Sequence, residues 1–414
     1  MNDLEKLPLV TDQTRAQSEN IETILNRLSN GRLIIPDYQR DAEQWDERKE
    51  SLFIESLLNN LTVPAFFFSQ GSDGKIEVVD GQQRLFTIKK FADNKLTLSN
   101  DESMTYLTPH SVMYRGKKFS DLPSKLQAVF NDYPLTIIYL PQSLDLGTKL
   151  EIFRRINEGG TPLTAQDIRL AYYSESASVA IIRLAGLHGT SDAATRMITA
   201  ARSRGVENPW ERHPGVYDLW SEWWEGKIKS RGQVPSEMFL WYLVAKNCDI
   251  LNSLLSNAVQ IKHLPISFRG STEEALDIYC AQLRWTDDDK GGAPIIFPAK
   301  DDLLVEFDKF AYWLQLVLRS GLSGVSVDKY KQVSFLIAGL VDADIGAEDV
   351  SHDAWDAFGE FIRKPREAGK KWLENGYPEQ KGRWTGNSGQ HTQCVRVKEL
   401  IAKVIKNHPS GCEE

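Results

Sequence analysis

Cysteine is scarce in this chain. Its 414 residues hold four, Cys248, Cys280, Cys394 and Cys412, spaced too widely for a zinc site or a disulfide framework. They are expected as reduced thiols of a cytoplasmic protein. No apolar run approaches the ~18 residues that a membrane helix needs. The stretch MNDLEKLPLVTDQTRAQSEN has neither a basic start nor a continuous apolar core, so no signal peptide is expected. Histidine is also sparse, and His110, His188, His213, His263 and His352 show no paired metal-ligand spacing. No Ser/His/Asp or Cys/His set can be assembled from the sequence. The run Gly71-Ser72-Asp73-Gly74-Lys75 lacks the four-residue gap of a phosphate loop and has Ile76 where Ser or Thr must hold the metal. It reads as a hairpin turn.

What is there is globular: 41% hydrophobic and 26% charged residues, with 11 Trp, and no low-complexity tract or internal repeat. The length allows two or three domains at roughly 100–200 residues each. The net charge of −8 is unevenly placed. Residues 361–406 carry 11 Lys/Arg against 4 Glu, which leaves 38 basic against 53 acidic residues elsewhere. An acidic body with a basic C-terminal segment suits nucleic-acid contact, although a solvated helix face gives the same composition.

Hydrophobic spacing orders the elements. Ile21, Ile24, Leu25 and Leu28 predict a first helix over 18–29, ended by Gly31. A short strand follows and is broken by Pro36 into the polar loop PDYQRDAEQW. Then come the helix ERKESLFIESLLNN, the strand VPAFFFSQ and, across the glycine turn, the strand KIEVVD as a hairpin partner. A helix from Gln82 to about Asp93 presents Leu85, Ile88 and Phe91. PLTIIYLP reads as a further buried strand, and LGTKLEIFRRINEGG as a helix stopped by Gly159-Gly160. Thr164 and Asp167 offer a capping box to the next helix. Beyond Ala177 helix-period patterns dominate. Tyr217, Trp220, Trp223 and Trp224 form a stripe at helical spacing, expected to pack in a core rather than to stack bases.

The segment VVDGQQRL (78–85) concentrates the chemistry. A strand ending in Asp-Gly that feeds a helix creates an anion site, because the first helical N–H groups lack intrahelical acceptors and the dipole adds partial positive charge. Gly81 permits close approach to the backbone. Arg84 offers a fork of donors that matches phosphate oxygens in pairs. Gln82 and Gln83 suit a base edge, a ribose or a positioned water. Asp80 would repel bare phosphate, so it makes sense beside a metal ion, a sugar hydroxyl or a buried arginine. The plainer alternative is that Asp80 caps the helix and Gln-Gln-Arg is solvated.

Two other elements join this corner. IPDYQR places Tyr38, Gln39 and Arg40 on a loop, a stacking face and a second guanidinium. FRRINEGG places Arg154, Arg155 and Asn157 within one helical turn. The ordered set IPDYQR, Trp45, VVDGQQRLFTI and FRRINEGGTPLTAQDIRLAYY resembles the GmrSD-type restriction N-terminal domain, also called domain of unknown function 262. The resemblance covers about residues 15 to 175. It implies a ParB/sulfiredoxin-like fold, here an α+β, small mixed-sheet domain over 1–175, while the helix-period patterns beyond it predict a mainly α-helical domain over 176–414. It further implies nucleotide binding and hydrolysis in defence against phage, recognition of modified foreign DNA, or control of a nuclease. Carried over by position, Asp80, Gly81, Gln82, Gln83 and Arg84 match the nucleotide motif. Tyr38, Gln39 and Arg40 match the loop implicated in nucleotide contact or DNA sensing, and Asn157 matches the third motif. Many relatives continue into an HNH nuclease, but His391 and His408 lack the upstream His-Asp or His-His partner, so a nuclease on a separate polypeptide is expected.

The resulting expectation is an NTPase with Mg²⁺ as companion of the nucleoside triphosphate. In it Asp80, Gln83, Arg84 and Arg40 are catalytic, and Asp80 touches the metal. Gly81, Gln82, Tyr38, Gln39 and Asn157 complete the nucleotide pocket. Lys370, Lys371, Trp372, Lys381, Arg383 and Trp384 interleave cations with aromatics, a composition suited to phosphate contact and base stacking on DNA. Expected partners are DNA, a separate nuclease subunit and further copies of the chain. Rival expectations are a non-hydrolysing sensor and, third, direct DNA cleavage.

Overall fold

A strand precedes the first helix. In the computed structural model β1 (Arg15–Asn20) occupies residues that apolar spacing had partly assigned to that helix, and α1 runs only from Ile21 to Ser29. The correction has a physical cause. RAQSEN is polar and exposed along most of its length, so it carries no apolar alternation. Its strand character comes from backbone pairing with β5 (Pro134–Leu140), Arg15 opposite Tyr139 through to Asn20 opposite Pro134. Asn20 then ends the strand and starts the helix, its side chain accepting from the Thr23 N–H at 3.0 Å.

The structure describes residues 14–35, 45–70, 74–100, 113–141, 144, 148, 152, 155–156, 164–174, 176–189, 192–225, 234–248, 274–287, 300–320, 322, 324–363, 376–377 and 387–409. The chain divides into two compact units, Met1–Pro162 and Leu163–Glu414.

The first unit is α+β. Its sheet adds β2 (Leu33–Ile34), β3 (Phe66–Gln70) and β4 (Ile76–Asp80) in the order β1-β5-β3-β4-β2. The expected β3–β4 hairpin is present, antiparallel, while β5 runs parallel to β3 and β2 parallel to β4. The sheet is therefore mixed. Among the helices that share its core are α2 (Glu47–Leu58), capped by Asp46, and α3 (Gln82–Ala92). Lys90 of α3 pairs with Glu50 of α2 at 2.9 Å. The core joins Phe66, Phe68 and Val78 of the sheet to Leu85, Ile88 and Phe91 of α3, the apolar side that the spacing predicted. Phe91 meets Phe130 of α4 (Ser124–Asp132) edge-on at 5.4 Å.

Among its described residues the second unit is built of helices and contains no strand. It opens with α5 (Ala165–Tyr172), whose capping box is formed as expected. Thr164 Oγ1 accepts from the Asp167 N–H at 3.1 Å, and Asp167 Oδ2 accepts from the Thr164 N–H at 2.8 Å. Next come α6 (Ala177–Ala185), α7 (Asp192–Arg202) and α8 (Pro214–Trp224). The Trp stripe lies in the core: Trp220, Trp223 and Trp224 are buried, and Trp220 Nε1 donates to the Leu187 carbonyl at 2.7 Å. Residues 236–245 of α9 (Ser236–Lys246) are all buried, which explains why SEMFLWYLVAK shows no polar face. Around it stand α10 (Glu274–Asp287), α11 (Lys300–Arg319), α12 (Tyr330–Asp342), α13 (His352–Arg363) and α14 (Asn387–Asn407).

Arg169 of the AQDIRLAYY segment is fully buried in this unit. Its Nε donates to Asp277 Oδ1 at 2.6 Å, and its NH1 group to Gln166. Burial pushes the thiol of neighbouring Cys280 up to about 12, so this cysteine is an inert core residue. Among the described residues no helix is long and apolar enough to cross a membrane.

Candidate functional site

The corner at residues 80–84 is built by a bulge, a left-handed glycine and a buried arginine. β3 and β4 pair regularly from Gln70 opposite Ile76 to Phe68 opposite Val78. The register then shifts between Phe68 and Phe67, so that Phe67 stands opposite Asp80. Such a bulge bends the strand and re-aims its last side chain. Gly81 follows with φ +97°, in the left-handed region, and serves as the N-cap of α3 without a side-chain cap bond. Asp80 is therefore not the helix cap. Gly81 has a second reason to lack a side chain: a Cβ there would stand 2.4 Å from Cδ1 of Phe66. What approaches the backbone closely at this glycine is a core ring.

Arg84 turns inward rather than toward solvent. Its residue is 9% exposed, and its guanidinium lies 4.6 Å from the centroid of the Phe66 ring. One terminal nitrogen donates to the carbonyls of Pro64 and Ala65, the latter at 3.1 Å, and the other to Asp80 Oδ2 at 2.6 Å. Of the three environments that suit Asp80, this geometry supplies the buried arginine. Burial pushes the Asp80 carboxyl above its ordinary value, against the pull of Arg84 and of the Gly81 N–H. Burial likewise lowers the guanidinium, against the pull of Asp80. A guanidinium keeps its proton in proteins, so the contact is an ion pair.

Gln82 and Gln83 behave differently. Both are half-buried on the first turn of α3, and among the described residues neither side chain has a hydrogen-bond partner. Two free amides thus stand beside a carboxylate at a helix N-terminus, the arrangement that can hold a polar ligand through donors and acceptors together.

The parallel pairing of β2 with β4 bears on the first motif. Ile34 stands opposite Glu77, so the chain leaves β2 toward the same sheet end at which β4 delivers Asp80. Tyr38, Gln39 and Arg40 follow directly in sequence but lie outside the described residues, as does Asn157. The chain resumes at Trp45, whose ring meets Phe53 of α2 edge-on at 5.3 Å. In the third motif Arg155 is helical and exposed.

Among the described residues no group of three or more His, Cys, Asp or Glu side chains stands close enough to hold a metal ion. Asp80 gives Oδ2 to Arg84.

In the basic C-terminal stretch, Lys370, Lys371, Trp372, Lys381, Arg383 and Trp384 lie outside the described residues. Tyr377, in the same stretch, is buried and its hydroxyl meets Nε2 of His408 at 2.9 Å. That aromatic packs inward.

Sequence reasoning missed the Pro64 and Ala65 carbonyls and the Phe66 ring, which define the corner. Backbone carbonyls leave no residue-type signal. The only hint was the apolar run VPAFFF directly before the hairpin.

Residues 21–174 match the family model described as GmrSD restriction endonuclease, N-terminal domain. Over these residues the chain is similar to the GmrSD-type N-terminal domain. No curated protein and no solved structure matches the chain.

Proposed function

We propose that this GmrSD-type domain binds and hydrolyses a nucleoside triphosphate, and that the chain serves a restriction-like defence against phage. The observation that carries the reading is the pair of unpartnered amides, Gln82 and Gln83, beside the Asp80 carboxylate on the first turn of α3. Free N–H groups and the dipole at that helix end favour the phosphates. Gln83 would orient the attacking water, and Gln82 would meet the base or ribose. Tyr38, Gln39 and Arg40 would close the pocket, with Arg40 neutralising charge on the transferred phosphoryl group, and Asn157 would join from the third motif. Magnesium would arrive with the triphosphate, which supplies most of its ligands. It would neutralise phosphate charge.

Hydrolysis would act as a switch that licenses a nuclease on a separate chain when modified or foreign DNA is sensed. The basic 361–406 stretch, with Lys370, Lys371, Trp372, Lys381, Arg383 and Trp384, would contact that DNA.

The test is phosphate release from ATP, GTP, CTP and UTP with Mg²⁺, with and without DNA. Gln83→Ala is the test variant, since among the described residues that side chain has no hydrogen-bond partner, and its thermal unfolding is compared with wild type to verify the fold. The expected result is turnover with one preferred base, stimulated by DNA and lowered about 10²-fold or more by Gln83→Ala. Tight binding without turnover favours a sensor instead. No binding of any nucleotide removes the reading.

A further inference from the structure

The functional reading leaves one group without a role, the guanidinium of Arg84. It is the natural phosphate ligand by residue type, yet it is committed. Its acceptors come from two separate places in the chain: Pro64 and Ala65 lead into β3, and Asp80 ends β4. The guanidinium stands over the Phe66 ring, 4.6 Å from its centroid, and that ring also fills the space that a Cβ at Gly81 would need. Swinging Arg84 out to a phosphate would strand Asp80 as an uncompensated, largely buried charge. It would also leave two carbonyls without their donor, each at a cost comparable with a hydrogen bond to a charged group. A lysine has the charge but not the planar fork that spans three acceptors.

We infer that Arg84 is a positioning residue: it fixes Asp80 and the Pro64–Ala65 segment, while ligand contact falls to Asp80, Gln82 and Gln83. The inference rests on the reading of this corner as a nucleotide site. It makes the DGQQR arginine part of the frame and the two glutamines the working surface.

The test measures binding of a nucleoside triphosphate, the diphosphate and the bare nucleoside, all of the preferred base, to the full chain. Wild type is compared with Arg84→Lys and with Arg84→Gln, after thermal unfolding shows which variants are folded. A positioning role predicts that affinities for all three ligands fall together, by about tenfold or more, so that the triphosphate-to-nucleoside ratio stays within about threefold of wild type. A phosphate ligand predicts a ratio that collapses by about 100-fold with nucleoside affinity unchanged, and that result overturns the inference. So do folded variants with unaltered affinities, since a purely structural arginine would leave binding alone. A third readout needs no variant. On nucleotide addition to wild type, the ¹⁵N side-chain resonances of Gln82 and Gln83 should shift while that of Arg84 stays in place. The reverse pattern overturns the inference. Absence of nucleotide binding by wild type removes the site reading and this inference with it, whereas a collapsed ratio over intact wild-type binding removes this inference alone.

Discussion

Gly81 shows how a single position couples backbone and core. Its φ of +97° is open to glycine and costly for other residues, and the Phe66 ring occupies the place of its missing Cβ. Gly81→Ala therefore combines left-handed strain with overpacking against a ring that is itself fully buried. The expected loss is about 2–4 kcal/mol in the first unit, read by urea unfolding followed at Trp45. A loss under about 0.5 kcal/mol would mean that the corner relaxes freely. Arg169 is the contrasting case. It lies in the stretch AQDIRLAYY of the family resemblance, but its partners Asp277 and Gln166 are buried side chains of the helical unit, so its role is in the fold.

At the scale of elements, the site is made by the order in which strands pair. The β3–β4 bulge aims Asp80, and the parallel β2 ends toward the same sheet end. The helical unit has an equivalent polar fastening between α9 and α11. Glu306 accepts from Lys246 at 2.8 Å, Tyr242 at 2.8 Å and Lys309 at 2.8 Å. Burial alone would raise its carboxyl, but these hydrogen bonds outweigh burial and hold it below the ordinary 4.5. A carboxylate depressed in the folded state stabilises it fully above its unfolded value, and that contribution fades as pH falls through the folded one. The melting temperatures of wild type and Glu306→Gln should therefore differ most near about pH 6 and converge toward about pH 3. A gap that is constant over this range would contradict the ionic fastening. β1 belongs to this scale too. RAQSEN gave no strand signal because pairing with β5, rather than side-chain burial, holds it in place.

For the whole molecule the decisive feature is two cores that share no residue. One is assembled from positions between Ile21 and Ile137, the other from positions between Leu170 and Val404. A polypeptide of residues 163–414, beginning at the Thr164–Asp167 capping box, is expected to fold by itself, with a helical circular-dichroism spectrum and one cooperative denaturation. A non-cooperative melt with strong dye binding would show that the helical unit depends on its N-terminal neighbour.

Local signals were enough, in the sequence alone, for the α+β first unit and the helical second one. Apolar periodicity marked α3 and the Trp helix, the hairpin pair bracketed a glycine turn, and the Thr-x-x-Asp cap was legible because both of its bonds lie within one turn. The place of the candidate site was legible for the same reason, since DGQQR is a strand end, a glycine and a helix start in succession. The direction of Arg84 was not. Asp80 and Arg84 stand four apart in sequence, but the carbonyls that hold the guanidinium are 19 and 20 residues away. They come within reach only through the β3–β4 register. Whether an arginine faces a phosphate or its own backbone depends on which acceptors surround it, and long-range strand pairing sets that.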